Sequence, residues 1–131
     1  MIRGIYETVL YAEDVGAAAS FYVEALGLRL VEEPDELAAA FRLPDGGMLL
    51  LFDPRLASQP GRPVPSHGAS GAGHVAFAVE PGSLEQWAER LETQGADVER
   101  TIDWDGRGRS VYLRDPAGNS VELVDGEIWP K

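Results

Sequence analysis

The turn Pro44-Asp45-Gly46-Gly47, leading into Met48-Leu49-Leu50-Leu51, is written a second time as Pro116-Ala117-Gly118-Asn119 leading into Ser120-Val121-Glu122-Leu123. Laying Pro44 on Pro116 puts Leu50 over Glu122, and the likeness continues upstream. In the first half an alternating strand, 5–11, precedes GAAASFYVEAL, a helix that stops at Gly27. In the second, a strand at 73–79 precedes SLEQWAERLETQ, a helix that stops at Gly95. Glycine tolerates the left-handed backbone that ends a helix, so both stops carry a physical mark. Strands at 28–33, 38–43 and 47–52 complete the first copy, and strands at 96–101, 109–114 and 120–124 the second. The unit is strand-helix-strand-strand-strand, used twice at an offset of about 67 to 72 residues.

Between the copies lies DPRLASQPGRPVPSHGASGA, residues 53–72, rich in Pro, Gly and Ser. Loops of that length often cover a site. The boundaries read as module one 1–53, linker 54–72 and module two 73–127, within a single domain of 131 residues. Phe21, Tyr22 and Leu26 offer a packing face on the first helix; Leu84, Trp87 and Leu91 offer one on the second.

Twenty-two acidic residues against eleven basic ones leave a net charge of -11, which disfavours nucleic acid and anionic membrane as partners. No apolar run approaches the roughly 20 residues that span a bilayer, and the N-terminus lacks a signal peptide's apolar middle. Without cysteine there is no disulfide or thiolate metal site. The expected setting is cytoplasmic, and any metal must be held by His and carboxylates.

The polar residues of the strands then stand out. Glu7 and His74 sit near the start of the first strand of each copy, and Glu122 lies on the last strand, on the face opposite Val121 and Leu123. A carboxylate in a strand bound for the core needs a partner. Convergence of Glu7, His74 and Glu122 on one divalent cation satisfies all three, and their donor types suit Mn²⁺, Fe²⁺, Zn²⁺, Ni²⁺ or Mg²⁺. Three protein ligands leave positions open for substrate oxygens. His67, in SHGASGAGH, offers proton transfer near neutral pH or a further ligand, or is simply an exposed loop histidine. Ser110, Tyr112 and Arg114 alternate on one face of SVYLRDP; Arg114 either meets substrate or pairs with an acid. Trp104 and Trp129 are candidates for an apolar wall or for packing.

The paired units, with ETVLYAEDVGAAASFYVEALGLRL, GHVAFAV and YLRDPAGNSVEL, resemble the vicinal oxygen chelate superfamily of glyoxalases, extradiol dioxygenases, fosfomycin-resistance transferases and bleomycin-resistance proteins. The resemblance implies an α+β fold in which two βαβββ modules in tandem form a curved mixed sheet around a cavity. It also implies ligands on the first and last strands: His74 and Glu122 match that pattern, and Glu7 stands where His is commoner. A fourth ligand used by glyoxalase I falls on Leu50, which speaks against that standard site. A serine and a tyrosine at the positions of Ser110 and Tyr112 contact the phosphonate in the fosfomycin transferases, which makes both candidate substrate contacts and Tyr112 a candidate for the chemistry as well.

The expected protein is a small metal-dependent enzyme, of lyase, isomerase or dioxygenase type, acting on an oxygen-chelating small molecule as a homodimer. The rival is a metal-free protein similar to bleomycin-resistance proteins that sequesters a cationic small molecule, which the acidic charge would suit. Fold and family leave the reaction open between them.

Overall fold

The computed structural model describes all 131 residues as two compact units, Met1–Gly71 and Ala72–Lys131. In the first, β1 (Glu7–Tyr11), α1 (Val15–Glu24), β2 (Arg29–Leu30), β3 (Ala38–Arg42) and β4 (Met48–Phe52) form a four-stranded sheet in the order β1-β4-β3-β2. β1 runs parallel to β4 and the remaining pairs are antiparallel. The period-2 pattern buries Leu10, Ala39, Phe41, Leu49 and Leu51 beneath α1, which presents Ala18, Ala19 and Tyr22. Small alanines let the helix sit close to the sheet, and Tyr22 fills the space between them. The packing face therefore centres on Tyr22, with Phe21 half-buried at its edge.

Asp14 caps α1, its carboxylate accepting from the Ala17 N–H at 3.0 Å. The helix closes at Gly27, φ 71°, where the N–H groups of Gly27 and Leu28 return to the carbonyls of Val23 and Tyr22.

After β4 comes a short helix, α2 (Pro54–Ala57), capped by the Asp53 side chain with Pro54 in its first turn. The stretch read as linker is thus partly ordered secondary structure. Its later residues are tied back to it: the N–H of His67 and the guanidinium of Arg62 both donate to the Ala57 carbonyl, at 3.0 and 2.9 Å.

The second unit repeats the plan with β5 (His74–Ala78), α3 (Leu84–Thr93), β6 (Val98–Asp103), β7 (Gly108–Arg114) and β8 (Ser120–Gly126), in the order β5-β8-β7-β6. Val111, Leu113, Val121 and Leu123 are buried on the side of α3, which contributes Leu84 and Leu91. Trp87 is half-buried beneath the Arg90 guanidinium.

The two registers coincide. Glu7 pairs with Met48 and Val9 with Leu50; His74 pairs with Ser120 and Ala76 with Glu122. Glu7 therefore occupies in the first sheet the place His74 has in the second, and Leu50 the place of Glu122. The repeat read from the turns is a repeat of hydrogen-bond register.

At the start of β7 the backbones of Gly108 and Gly126 meet as a cross-strand pair. A Cβ on Gly126, which has φ 113°, would stand 2.5 Å from the Arg107 carbonyl and 2.7 Å from the Gly108 Cα. No other residue type fits there without moving the strands.

Candidate functional site

The face of the second sheet away from α3 carries the polar residues. Glu122 is 5 % exposed, in the middle of β8. Burying a carboxylate is costly unless it is hydrogen-bonded or paired, and here one oxygen accepts a hydrogen bond while the other faces the His74 ring. The Ser110 hydroxyl donates to Oε2 at 2.5 Å. Oε1 lies 3.3 Å from His74 Nε2.

His74 is half-exposed at the start of β5, and its Nδ1 lies 3.1 Å from the Ser120 carbonyl. A carbonyl accepts only, so Nδ1 carries a proton in this geometry. In the neutral ring Nε2 is then the lone-pair nitrogen, turned to the same place as Glu122 Oε1. That is the tautomer a metal ligand requires.

Tyr112 is the cross-strand partner of Glu122, and its ring lies nearly parallel to that of His74, with centroids 6.4 Å apart. Burial, and then the hydrogen bond and negative charge of Glu122, raise the phenol above its ordinary value, with Ser110 acting the other way. Tyr112 therefore stays a protonated donor throughout the neutral range.

Ser110 is fully buried. Besides donating to Glu122, it accepts from the Trp104 indole Nε1–H at 2.9 Å. Its hydroxyl, expected to meet substrate, is occupied on both sides by protein groups. Arg114 takes the acid-pairing alternative: its Nε donates to Glu99 at 3.0 Å across β6 and β7, and its Nη1 to the Gly118 carbonyl at 3.1 Å.

The start of β5 is anchored by the DPAGN turn. Asp115 and Asn119 are both buried. Asp115 Oδ1 accepts from the N–H groups of Ala117 and Asn119, and its Oδ2 from the Asn119 amide, each at 2.9 Å. Asn119 Oδ1 accepts from the N–H of Gly73 at 2.8 Å, one residue before His74.

The first unit holds the other two sequence candidates. Glu7 is exposed at the head of β1. His67 Nδ1 lies 2.7 Å from the Tyr11 hydroxyl, and its ring meets Phe52 edge-on with centroids 4.7 Å apart. This cluster fastens the end of the 53–71 stretch to the sheet face that carries Tyr11 and Phe52. Within either unit, no third His, Asp or Glu joins the His74–Glu122 pair to complete a metal-holding group. Trp129 is 80 % exposed.

Sequence reasoning did not find the Trp104–Ser110–Glu122 chain or the Asn119–Gly73 anchor. The first was beyond reach, because a tight turn must fold the indole back onto β7. The second had a signal, since Asx side chains at both ends of a Pro-Gly turn commonly bond to nearby backbone.

Two parallel-plus-antiparallel βαβββ units, with His on the first strand and Glu on the last strand of the second, define a glyoxalase-like α+β protein. The chain belongs to the Glyoxalase/Bleomycin resistance protein/Dioxygenase superfamily, whose family model matches residues 4–123. The structure is similar to that of a lactoylglutathione lyase from Agrobacterium tumefaciens, with a TM-score of 0.90 and 40% identity over 98% of this chain and 97% of that one. Among curated proteins, it is 35% identical over 105 residues to MhqE of Bacillus subtilis (strain 168), named for ring-cleaving dioxygenase activity. That match takes in 74% of this chain but only 33% of MhqE, so the chain spans about a third of that relative's length. It is 26% identical over 133 residues to the metallothiol transferase FosB of Shouchella clausii (strain KSM-K16), covering 98% of this chain and 84% of FosB. No helix is long and apolar enough to cross a membrane.

Proposed function

We propose that this protein is a metal-dependent lyase or isomerase acting on a small molecule that offers two neighbouring oxygens. The observation that carries the reading is the His74–Glu122 pair, an imidazole Nε2 at the start of β5 and a carboxylate oxygen within β8, 3.3 Å apart. The donor set fits a borderline divalent cation, and Glu122, held by Ser110, is preset to face it. We assign Glu7 as the third ligand because its register in the first sheet matches that of His74 in the second. We take the two units as one glyoxalase-like domain, acting as a homodimer.

A cation held there supplies Lewis acidity toward a substrate oxygen. Tyr112, kept protonated beside Glu122, is placed to turn its one O–H from Glu122 toward negative charge developing on substrate. His67, with Nδ1 engaged by Tyr11, offers Nε2 as the ring nitrogen for proton transfer with substrate. Lyase chemistry is preferred to ring cleavage because the similarity to the lactoylglutathione lyase covers nearly both chains, whereas that to MhqE covers a third of the relative.

The test is calorimetric titration of wild type and His74→Ala with Mn²⁺, Ni²⁺, Zn²⁺ and Fe²⁺, followed by assays on thiol adducts of dicarbonyls and on catechols. Binding near one ion per chain, lost in the variant, with turnover of a dicarbonyl adduct, supports the assignment. Unchanged binding in His74→Ala, or tight metal-free binding of a cationic small molecule, overturns it in favour of a sequestering protein.

A further inference from the structure

We infer that Trp104 and Ser110 are positioning residues: an indole–hydroxyl–carboxylate chain that locks Glu122 in one orientation, with Oε1 turned to His74. The inference rests on the metal reading for its consequence, and on the hydrogen bonds alone for its existence.

A hydroxyl has one proton to donate and can accept as well. Ser110 Oγ lies 2.9 Å from Trp104 Nε1 and 2.5 Å from Glu122 Oε2. An indole N–H can only donate, so it takes an acceptor site on Ser110, and a carboxylate can only accept, so it takes the hydroxyl proton. The direction of the chain is therefore forced, from Trp104 through Ser110 to Glu122. A glutamate has three side-chain torsions, and an unheld carboxylate would sample several of them. The chain removes that freedom on the Oε2 side and leaves Oε1, 3.3 Å from His74 Nε2, as the outward oxygen.

The fold supplies the geometry. Tyr112 is directly opposite Glu122 and Ser110 lies one diagonal step away, both on the same face of β7. The Asp103–Gly108 turn places Trp104 over that step: the Trp104 N–H bonds to the Gly108 carbonyl at 2.8 Å, while Asp105 and Gly106 adopt positive φ. With no exposure to solvent, Ser110 cannot exchange these partners for water. It supports the carboxylate and does not meet substrate.

The test uses the full chain with Ser110→Ala, Trp104→Phe and the double variant. Mn²⁺ affinity is expected to fall 10- to 100-fold in Ser110→Ala, the usual range when a ligand's supporting hydrogen bond is lost. It should fall less in Trp104→Phe, and no further in the double variant than in Ser110→Ala, because Trp104 acts only through the hydroxyl. Additive losses, or an unchanged affinity in a folded Ser110→Ala, overturn the assignment. Should Ser110→Ala fail to fold, Trp104→Phe carries the test on its own, and an affinity equal to wild type overturns it. A second readout separates this inference from the metal reading. The Trp104 indole proton resonance should move in Glu122→Gln without any metal present. A wild type that takes up no Mn²⁺ while that resonance moves sinks the metal reading and leaves the chain standing; a resonance that stays put sinks the chain.

Discussion

Asn119→Ala is expected to cost far more than an exposed turn substitution. The Asn119 amide donates to the buried Asp115 carboxylate at 2.9 Å, and its oxygen accepts from the Gly73 N–H at 2.8 Å. A hydrogen bond to a charged group contributes about 1.5 to 3 kcal/mol and a neutral one about 1, so their joint loss amounts to roughly 2 to 4 kcal/mol. Asp115 keeps two backbone donors, which places the expected value inside that range and not above it. Urea denaturation followed by tryptophan fluorescence measures the change, with a parallel fall in melting temperature of roughly 8 to 16 °C. The same variant frees the residue before His74, so Mn²⁺ affinity should drop too, although Asn119 touches neither proposed ligand of the second unit. Asn119→Asp sharpens the test: a second carboxylate set against Asp115 destabilises at neutral pH and is relieved as acid protonates one of the two. A loss below about 1 kcal/mol in Asn119→Ala, with no pH dependence in Asn119→Asp, would refute the view that this turn anchors β5.

Two further outcomes follow from the geometry. Gly126→Ala drives a Cβ into the Arg107 carbonyl at positive φ, and a loss of at least about 2 kcal/mol is expected in the same urea assay. Asp53 has its carboxyl held below the usual range, first by the side-chain hydrogen bonds of Arg55. Because its folded-state pKa is depressed, its contribution is present above the ordinary carboxylate value of 3.8 and is lost as pH falls through the lower folded value. The stability gap between wild type and Asp53→Ala should therefore close in acid, as read by melts from pH 7 to 2.5.

The sheets were legible because alternation and turn chemistry are local. The glycine stops at Gly27 and Gly95 marked both main helix ends, and the proline alignment carried Leu50 onto Glu122's register. Strand extents were less legible. The 28–33 segment is regular strand only at Arg29–Leu30, with one further backbone bond from Val31 to the Ala40 carbonyl, and the 96–101 segment is displaced to Val98–Asp103. Both are edge strands, whose length depends on one neighbour only. Helix α2 was missed although Asp53-Pro54 is a cap followed by proline, because the surrounding Pro, Gly and Ser masked it. Of the site, residue types and strand faces were readable. The use of the Ser110 hydroxyl was not, since it depends on where the Trp104 indole lands after a turn.

The matched registers bear on substitution. One slot in a duplicated plan holds an acid in the later copy and a leucine in the earlier one. At that slot the later copy must satisfy a buried carboxylate, and the earlier copy is free of that electrostatic demand. Substitutions at Met48, Leu50 and Phe52 therefore change the shape and apolar character of that sheet face without adding or removing a charge, and leave the His74–Glu122 pair untouched.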